Sequence, residues 1–212
     1  MVDRSITYIA KGAEISACGK YRYRLWREWR LHPAPAQWDM WSEDDGTPIV
    51  DGAGAQLGEP KACVFIMLNP STADGSEDDP TIRRCVGFAR AWGYDRLEVV
   101  NLFAYRATDP ATLLALTHEY DPVGVRNQHH FDQVLFYGYP IGVIVCAWGA
   151  HGAHLGQDET ALGWLREHER FALGLTKGGH PRHPLYVSAE TPLAPFRPAR
   201  GVEHNAMPEV RS

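Results

Sequence analysis

Four short apolar runs, residues 63–68, 97–100, 142–146 and 171–175, punctuate the second two thirds of the chain without regular apolar–polar alternation. A strand with one wet face alternates, whereas a strand covered on both faces does not, and the β-branched content of these runs favours strands. Helix starts lie between them. Asp-Pro occurs at Asp79-Pro80, Asp109-Pro110 and Asp121-Pro122. Aspartate is a good N-cap acceptor, and proline suits the first helical position, where its missing N–H is no loss. After Pro80, Ile82, Cys85, Phe88, Ala89 and Trp92 form a stripe at helical spacing, and Gly93 supplies a stop. After Pro122, Phe131, Val134 and Leu135 share a face that ends at Gly138, and a fourth helix is expected from near Asp158 to His168. Strand and helix in alternation predict an α/β three-layer sandwich around a central, mostly parallel, four-stranded sheet. Ligands of such sheets bind beyond the carboxyl ends of the strands.

Ahead of these runs, residues 20–30 read KYRYRLWREWR, arginines alternating with large apolar groups. That period of two predicts a half-exposed, antiparallel edge strand. Its basic and aromatic residues would also suit a nucleic-acid strand, although a solvated face is the commoner meaning. Residues 33–60 are rich in Pro, Gly and Asp, without periodicity, and are expected to form a long loop. The chain reads as one domain over residues 1–190, followed by a Pro-rich, flexible or loosely docked tail over 191–212.

Composition narrows the classes. The longest apolar stretch is too short to cross a bilayer and no secretory signal opens the chain, so no membrane partner and a cytoplasmic location are expected. Cys18, Cys63, Cys85 and Cys146 are scattered, and neither they nor the ten histidines fall at metal-ligand spacing. No metal and no cofactor is implied. A net charge of −5 argues against a broad nonspecific grip on nucleic acid but leaves room for a compact basic cleft.

Each apolar run ends in polar residues. The first leads into Asn69-Pro70-Ser71, where short polar groups, Ser71 among them, would face a ligand, or would merely close a turn. Asp74 follows, and then Asp78, Asp79, Arg83 and Arg84 stand beside a helix N-terminus, an end that favours anions and that the two arginines strengthen. The second run ends at Asn101, an amide that both donates and accepts and so suits the edge of a nucleobase, with Phe103 and Tyr105 able to stack on a ring and Arg106 close behind. An Asn101 that satisfies backbone groups, with aromatics in the core, fits those residues about as well. The third run ends at Trp148-Gly149. The fourth is followed by Lys177, His180, Arg182 and His183 among prolines, a combination suited to charge stabilisation.

Together NPSTAD, DDPTIRRC, WGY, VVNLFAYRATDP, the AWG turn and GHPRHPLY resemble a bacterial and phage family, the domain-of-unknown-function family sixteen forty-three. A remoter similarity is to the uracil-DNA glycosylase superfamily. It implies that Asn69-Pro70 corresponds to the loop that positions water, Asn101 to the residue that reads the base and Trp148-Gly149 to the turn after the third strand. His183-Pro184-Leu185, or else His180-Pro181, corresponds to the loop that holds the departing base. His183 is preferred because Pro-Leu follows it. Met67 stands where that superfamily has glycine, so the base itself is left open.

On that resemblance the expected activity is hydrolysis of an N-glycosidic bond in DNA or a nucleotide. Asn69 would orient water, Asp74 or Asp79 would support it, and His183 would donate to the base. Arg83, Arg84, Arg106, Lys177 and Arg182 would line the cleft for phosphate. The alternative is a module that binds a base or nucleotide without cutting it, and a partner-binding protein ranks last.

Overall fold

Residues of the first apolar run alternate between two cores, which is what a strand with no wet face must do. In the computed structural model, which describes residues 6–29, 61–71, 73–116 and 120–198, that run is a strand whose six residues are all buried. Cys63, Phe65 and Met67 join one apolar cluster, while Val64, Ile66 and Leu68 join the other. Each large side chain so buried contributes roughly 1.5–3 kcal/mol relative to exposure.

The strands are β1 (Ala10–Ile15), β2 (Arg22–Glu28), β3 (Ala62–Met67), β4 (Arg96–Asn101), β5 (Ile141–Cys146), β6 (Phe171–Ala172) and β7 (Ala194–Pro195). The helices are α1 (Pro80–Ala91), α2 (Pro110–Leu114), α3 (Asn127–Phe136) and α4 (Gln157–Trp164). One mixed seven-stranded sheet runs β1-β2-β4-β3-β5-β6-β7. β4, β3, β5 and β6 are mutually parallel, and the three remaining pairings are antiparallel. Residues of α1 pack in one cluster, and residues of α2, α3 and α4 pack in the other.

The α/β class is as expected, but the sheet is wider than the four strands and one edge strand foreseen. β2 is antiparallel to β4 yet is not an edge, because β1 covers its other side. Nor is its face solvated. Arg24 donates through Nε and Nη2 to the two oxygens of Glu98 at 2.8 Å, and Arg96 bridges Glu98 at 2.7 Å and Glu28 at 2.6 Å. Glu98 sits inside the second apolar run, and it supplies the charge that lets these arginines leave water.

Helix starts follow the Asp-Pro rule twice. Asp79 accepts from the Ile82 N–H at 2.8 Å and Asp109 from the Ala111 N–H at 2.9 Å. At Asp121-Pro122 the expectation fails. Asp121 has φ 40° and accepts from the Gly124 N–H, closing a turn, and α3 begins only at Asn127 without a side-chain cap. The fourth run is also cut short, since Gly174 at φ 89° turns the chain out of the strand. A bridge from Leu175 to Pro181 then closes residues 174–182 into a hairpin-like loop.

Part of the stretch beyond Thr191 is docked. β7 pairs with β6, and Phe196 is buried with its ring edge-on to Trp148. Residues 33–60, expected as a long loop, and residues 199–212 of the expected tail lie outside the described residues. No described helix is long and apolar enough to cross a membrane.

Candidate functional site

The four parallel strands end on one side of the sheet, and their loops enclose a cleft of about 640 Å³. Asn69, Ser71, Asp79, Asn101, Trp148, Arg182 and His183 all line it. These residues come from the ends of β3, β4 and β5, the start of α1 and the loop after β6.

Asn101 is the last residue of β4 and is 1% exposed. Neither its Nδ2 nor its Oδ1 has a hydrogen-bond partner among the described residues. A buried amide left so costs about 1–3 kcal/mol, so the protein carries it at a loss unless something else pairs with it. Its backbone is well held, because buried Asn127 donates to the carbonyls of Asn101 at 2.9 Å and Leu102 at 3.2 Å. Asn127 was not singled out from the sequence, where it is one polar residue at a helix start.

Asn69 donates through Nδ2 to the carbonyls of Ala107 at 2.7 Å and Pro70 at 3.2 Å. Those bonds tie the loop after β3 to the loop after β4 and orient Oδ1 as an acceptor. Asp79 is the N-cap of α1, and its other oxygen accepts from the Ser71 hydroxyl. It is the one carboxylate among the described residues that line the cleft, and both its oxygens are engaged.

His183 caps the 3₁₀ turn Pro184–Tyr186, its Nδ1 accepting from the Leu185 N–H at 3.3 Å. An Nδ1 that accepts leaves the proton of neutral imidazole on Nε2, so the ring is a donor there. Burial lowers its pKa, with Asp79 opposing more weakly. The ring is therefore neutral at pH 7. His180 does not line the cleft. The His183 loop is clamped from two sides. Arg84 donates to the carbonyls of Pro184 and Val187, and the Gly149 N–H donates to the Pro181 carbonyl at 2.9 Å.

Trp148 is buried at the cleft wall, with an Nε1–H lacking a partner among the described residues. Gly149 follows at φ 76°, a conformation that glycine adopts without strain. A Cβ on Gly152 would sit 2.0 Å from Trp148 Cδ1, so only glycine admits this indole.

Other expected site residues stand elsewhere. Phe103 is fully buried in the second apolar cluster, its ring tilted against that of His154, rather than in the cleft. Asp74 closes a turn, accepting from Ser76 and Glu77, and the Ser76 and Glu77 N–H groups hold its pKa down at about 2. Arg83 reaches the Asp78 carbonyl, and Arg106 reaches the carbonyls of Ser71 and Gly19. Lys177 is exposed away from the cleft. Of the five cations expected to line it, only Arg182 does.

The buried cation of the cleft is instead Arg22, from the first residue of β2. Burial pushes its pKa down to about 10, so it stays charged at neutral pH. Its signal in the sequence was the arginine–aromatic alternation, which by itself does not separate a buried arginine from a solvated one. Among the described residues no group of three or more His, Cys, Asp or Glu could hold a metal ion.

A family model described as "Protein of unknown function (DUF1643)" matches residues 55–185, more than half of the chain. The match takes in Asn69, Asn101, Trp148 and His183. Neither the curated proteins nor the solved structures hold a match.

Proposed function

We propose that this chain, which belongs to the DUF1643 family of proteins of unknown function, recognises a nucleobase in its cleft and hydrolyses the N-glycosidic bond that holds it in DNA or a nucleotide. One observation carries the reading: a buried Asn101 amide at the cleft wall with both its donor and its acceptor unspent on the described residues. Complementary donor and acceptor groups on the edge of a base would pair with it. The order of the motifs at the strand ends, which resembles that of the uracil-DNA glycosylase superfamily, adds support.

The chemistry asked of the cleft is modest. The bond from C1′ of the sugar to the base nitrogen breaks, both electrons leave with the base, and positive charge gathers on the sugar. Water adds its oxygen to C1′ and its proton ends on the solvent or the base. Asn69 Oδ1 accepts from that water and aims it, while His183 Nε2–H donates to the base as its charge grows. A base within duplex DNA has first to be flipped out.

A second reading has its own observation. Asp79 is engaged by Ser71 and by the Ile82 N–H, so among the described residues no unengaged carboxylate lines the cleft to activate water. On that reading the domain senses a base without cutting it.

Incubation with nucleosides and with DNA carrying altered bases separates the two. Free base released by the wild type supports hydrolysis, and binding without release supports sensing. Asn101→Asp puts an acceptor where the amide donated, so it is expected to change base preference by about 1–3 kcal/mol of discrimination and to keep the fold. A variant that melts early, with selectivity unchanged where folded, would make Asn101 scaffold and remove the centre of the proposal.

A further inference from the structure

Arg22 and Arg27 leave the same strand, and both are buried, at 2% and 0% exposed. They are used differently. Arg27 donates through Nε to Asp78 at 2.6 Å, through Nη1 to the Trp26 and Gly12 carbonyls, and through Nη2 to the Asp74 and Glu77 carbonyls. All three of its nitrogens are occupied, Nε and Nη2 with holding residues 74–78 and Nη1 with backbone carbonyls of β2 and β1. Arg22 makes one such bond, from Nη1 to the Ala73 carbonyl at 2.6 Å. Among the described residues its Nε, which is buried, has no hydrogen-bond partner, and no carboxylate lies within ion-pair distance of it.

A buried guanidinium that is not ion-paired is expensive, and a scaffold role needs only the single bond to Ala73. The residue lines the cleft, beside Asn101 and the first turn of α1. Asp79, the nearest compensating charge, already accepts from Ser71 and the Ile82 N–H. What remains at Arg22 is donor capacity and positive charge facing the same space as the unpaired amide.

We propose that Arg22 is a ligand-binding residue of the cleft that takes an oxygen bearing negative charge. Two parts of a ligand carry such an oxygen: a phosphate, or a keto oxygen on the base that gathers charge as the base departs. The proposal rests on the cleft holding a nucleobase-bearing ligand and adds the chemical class of its second anchor. The donor comes from an antiparallel strand outside the parallel run, so it belongs to none of the four strand-end motifs.

The test is calorimetric titration of the wild type, Arg22→Lys, Arg22→Gln and Asn101→Asp. The probes are the four common deoxynucleosides, their 5′-monophosphates and a mixed-sequence single-stranded oligonucleotide. Lysine keeps the charge and a donor for Ala73 but loses the planar fork, so Arg22→Lys is expected to fold while binding roughly tenfold or more weakly. Weakening confined to the monophosphates and the oligonucleotide assigns the oxygen to phosphate. Equal weakening for nucleosides assigns it to the base.

Wild-type affinity for every probe in a folded Arg22→Lys would overturn the inference. Affinity lost only in proportion to the unfolded fraction in both Arg22 variants would do the same. Binding abolished by Asn101→Asp but untouched by Arg22→Lys overturns this inference alone. A wild type that binds no probe overturns it together with the reading of the cleft.

Discussion

Asn101 and Asn127 are both buried asparagines whose Oδ1 lacks a partner among the described residues, and they differ in the donor. Asn127 spends its Nδ2 on two backbone carbonyls, whereas Asn101 spends nothing on the described residues. His183 is a third case, a side chain whose protonation state is tied to a backbone bond. Its Nδ1 accepts from the Leu185 N–H, and a protonated imidazole has no acceptor to offer there. Its folded pKa lies below the ordinary value, mainly through burial. The linked stability is therefore fully present above the unfolded pKa, about 6.5, and is lost as pH falls through the folded pKa. Asparagine keeps an N-cap acceptor without titrating. His183→Asn should thus lose less melting temperature than the wild type between pH 7 and pH 5. His130, also lowered by burial, contributes the same slope to both proteins and cancels in the comparison. Parallel melting curves across that range would show that His183 is not the titrating cap.

At the scale of elements, β2 acts as a template for the loop that leads into α1. Arg22 holds the Ala73 carbonyl and Arg27 holds those of Asp74 and Glu77, while Tyr8 donates to the same Asp78 carboxylate that Arg27 engages. Asp79, at the end of this loop, then starts α1 and fixes Ser71 at the cleft. Arg27→Met removes the guanidinium from a buried ion pair and from four carbonyl contacts. It should cost about 3–5 kcal/mol of stability, read from denaturant unfolding. Ligand binding should fall with it although Arg27 does not line the cleft. A stable Arg27→Met that binds normally would mean that the loop is positioned by other contacts.

Across the whole molecule, acidic and basic groups are unevenly placed. The chain carries −5 overall, while among the described residues the cleft holds Arg22 and Arg182 against a single carboxylate. Each phosphate neutralised on a single strand contributes a slope of about −0.7 to the salt dependence of affinity. Two cleft cations therefore predict a slope between about −0.7 and −1.4 for a single-stranded oligonucleotide. A slope near −3.5, as five lining cations would produce, would locate the nucleic-acid contact on a wider surface than this cleft.

What the residues alone determined is local or periodic. Runs without alternation made buried strands, Asp79-Pro80 and Asp109-Pro110 made capped helix starts, and polar residues after each run made a cleft at one end of the sheet. Spacing expresses such features because they depend on neighbours a few positions away. Tertiary structure decided whatever depends on partners far along the chain. Arg24 is half-buried because Glu98 lies across from it, 74 residues on, and Arg84 is a clamp because the carbonyls of Pro184 and Val187 come to its side. Asp121-Pro122 looked like the other two helix starts, but Asp121 turned back to the Gly124 N–H instead. A charged side chain can be solvated, paired or left waiting for a ligand. Local sequence is the same in all three cases, because the difference lies in desolvation and in who stands opposite.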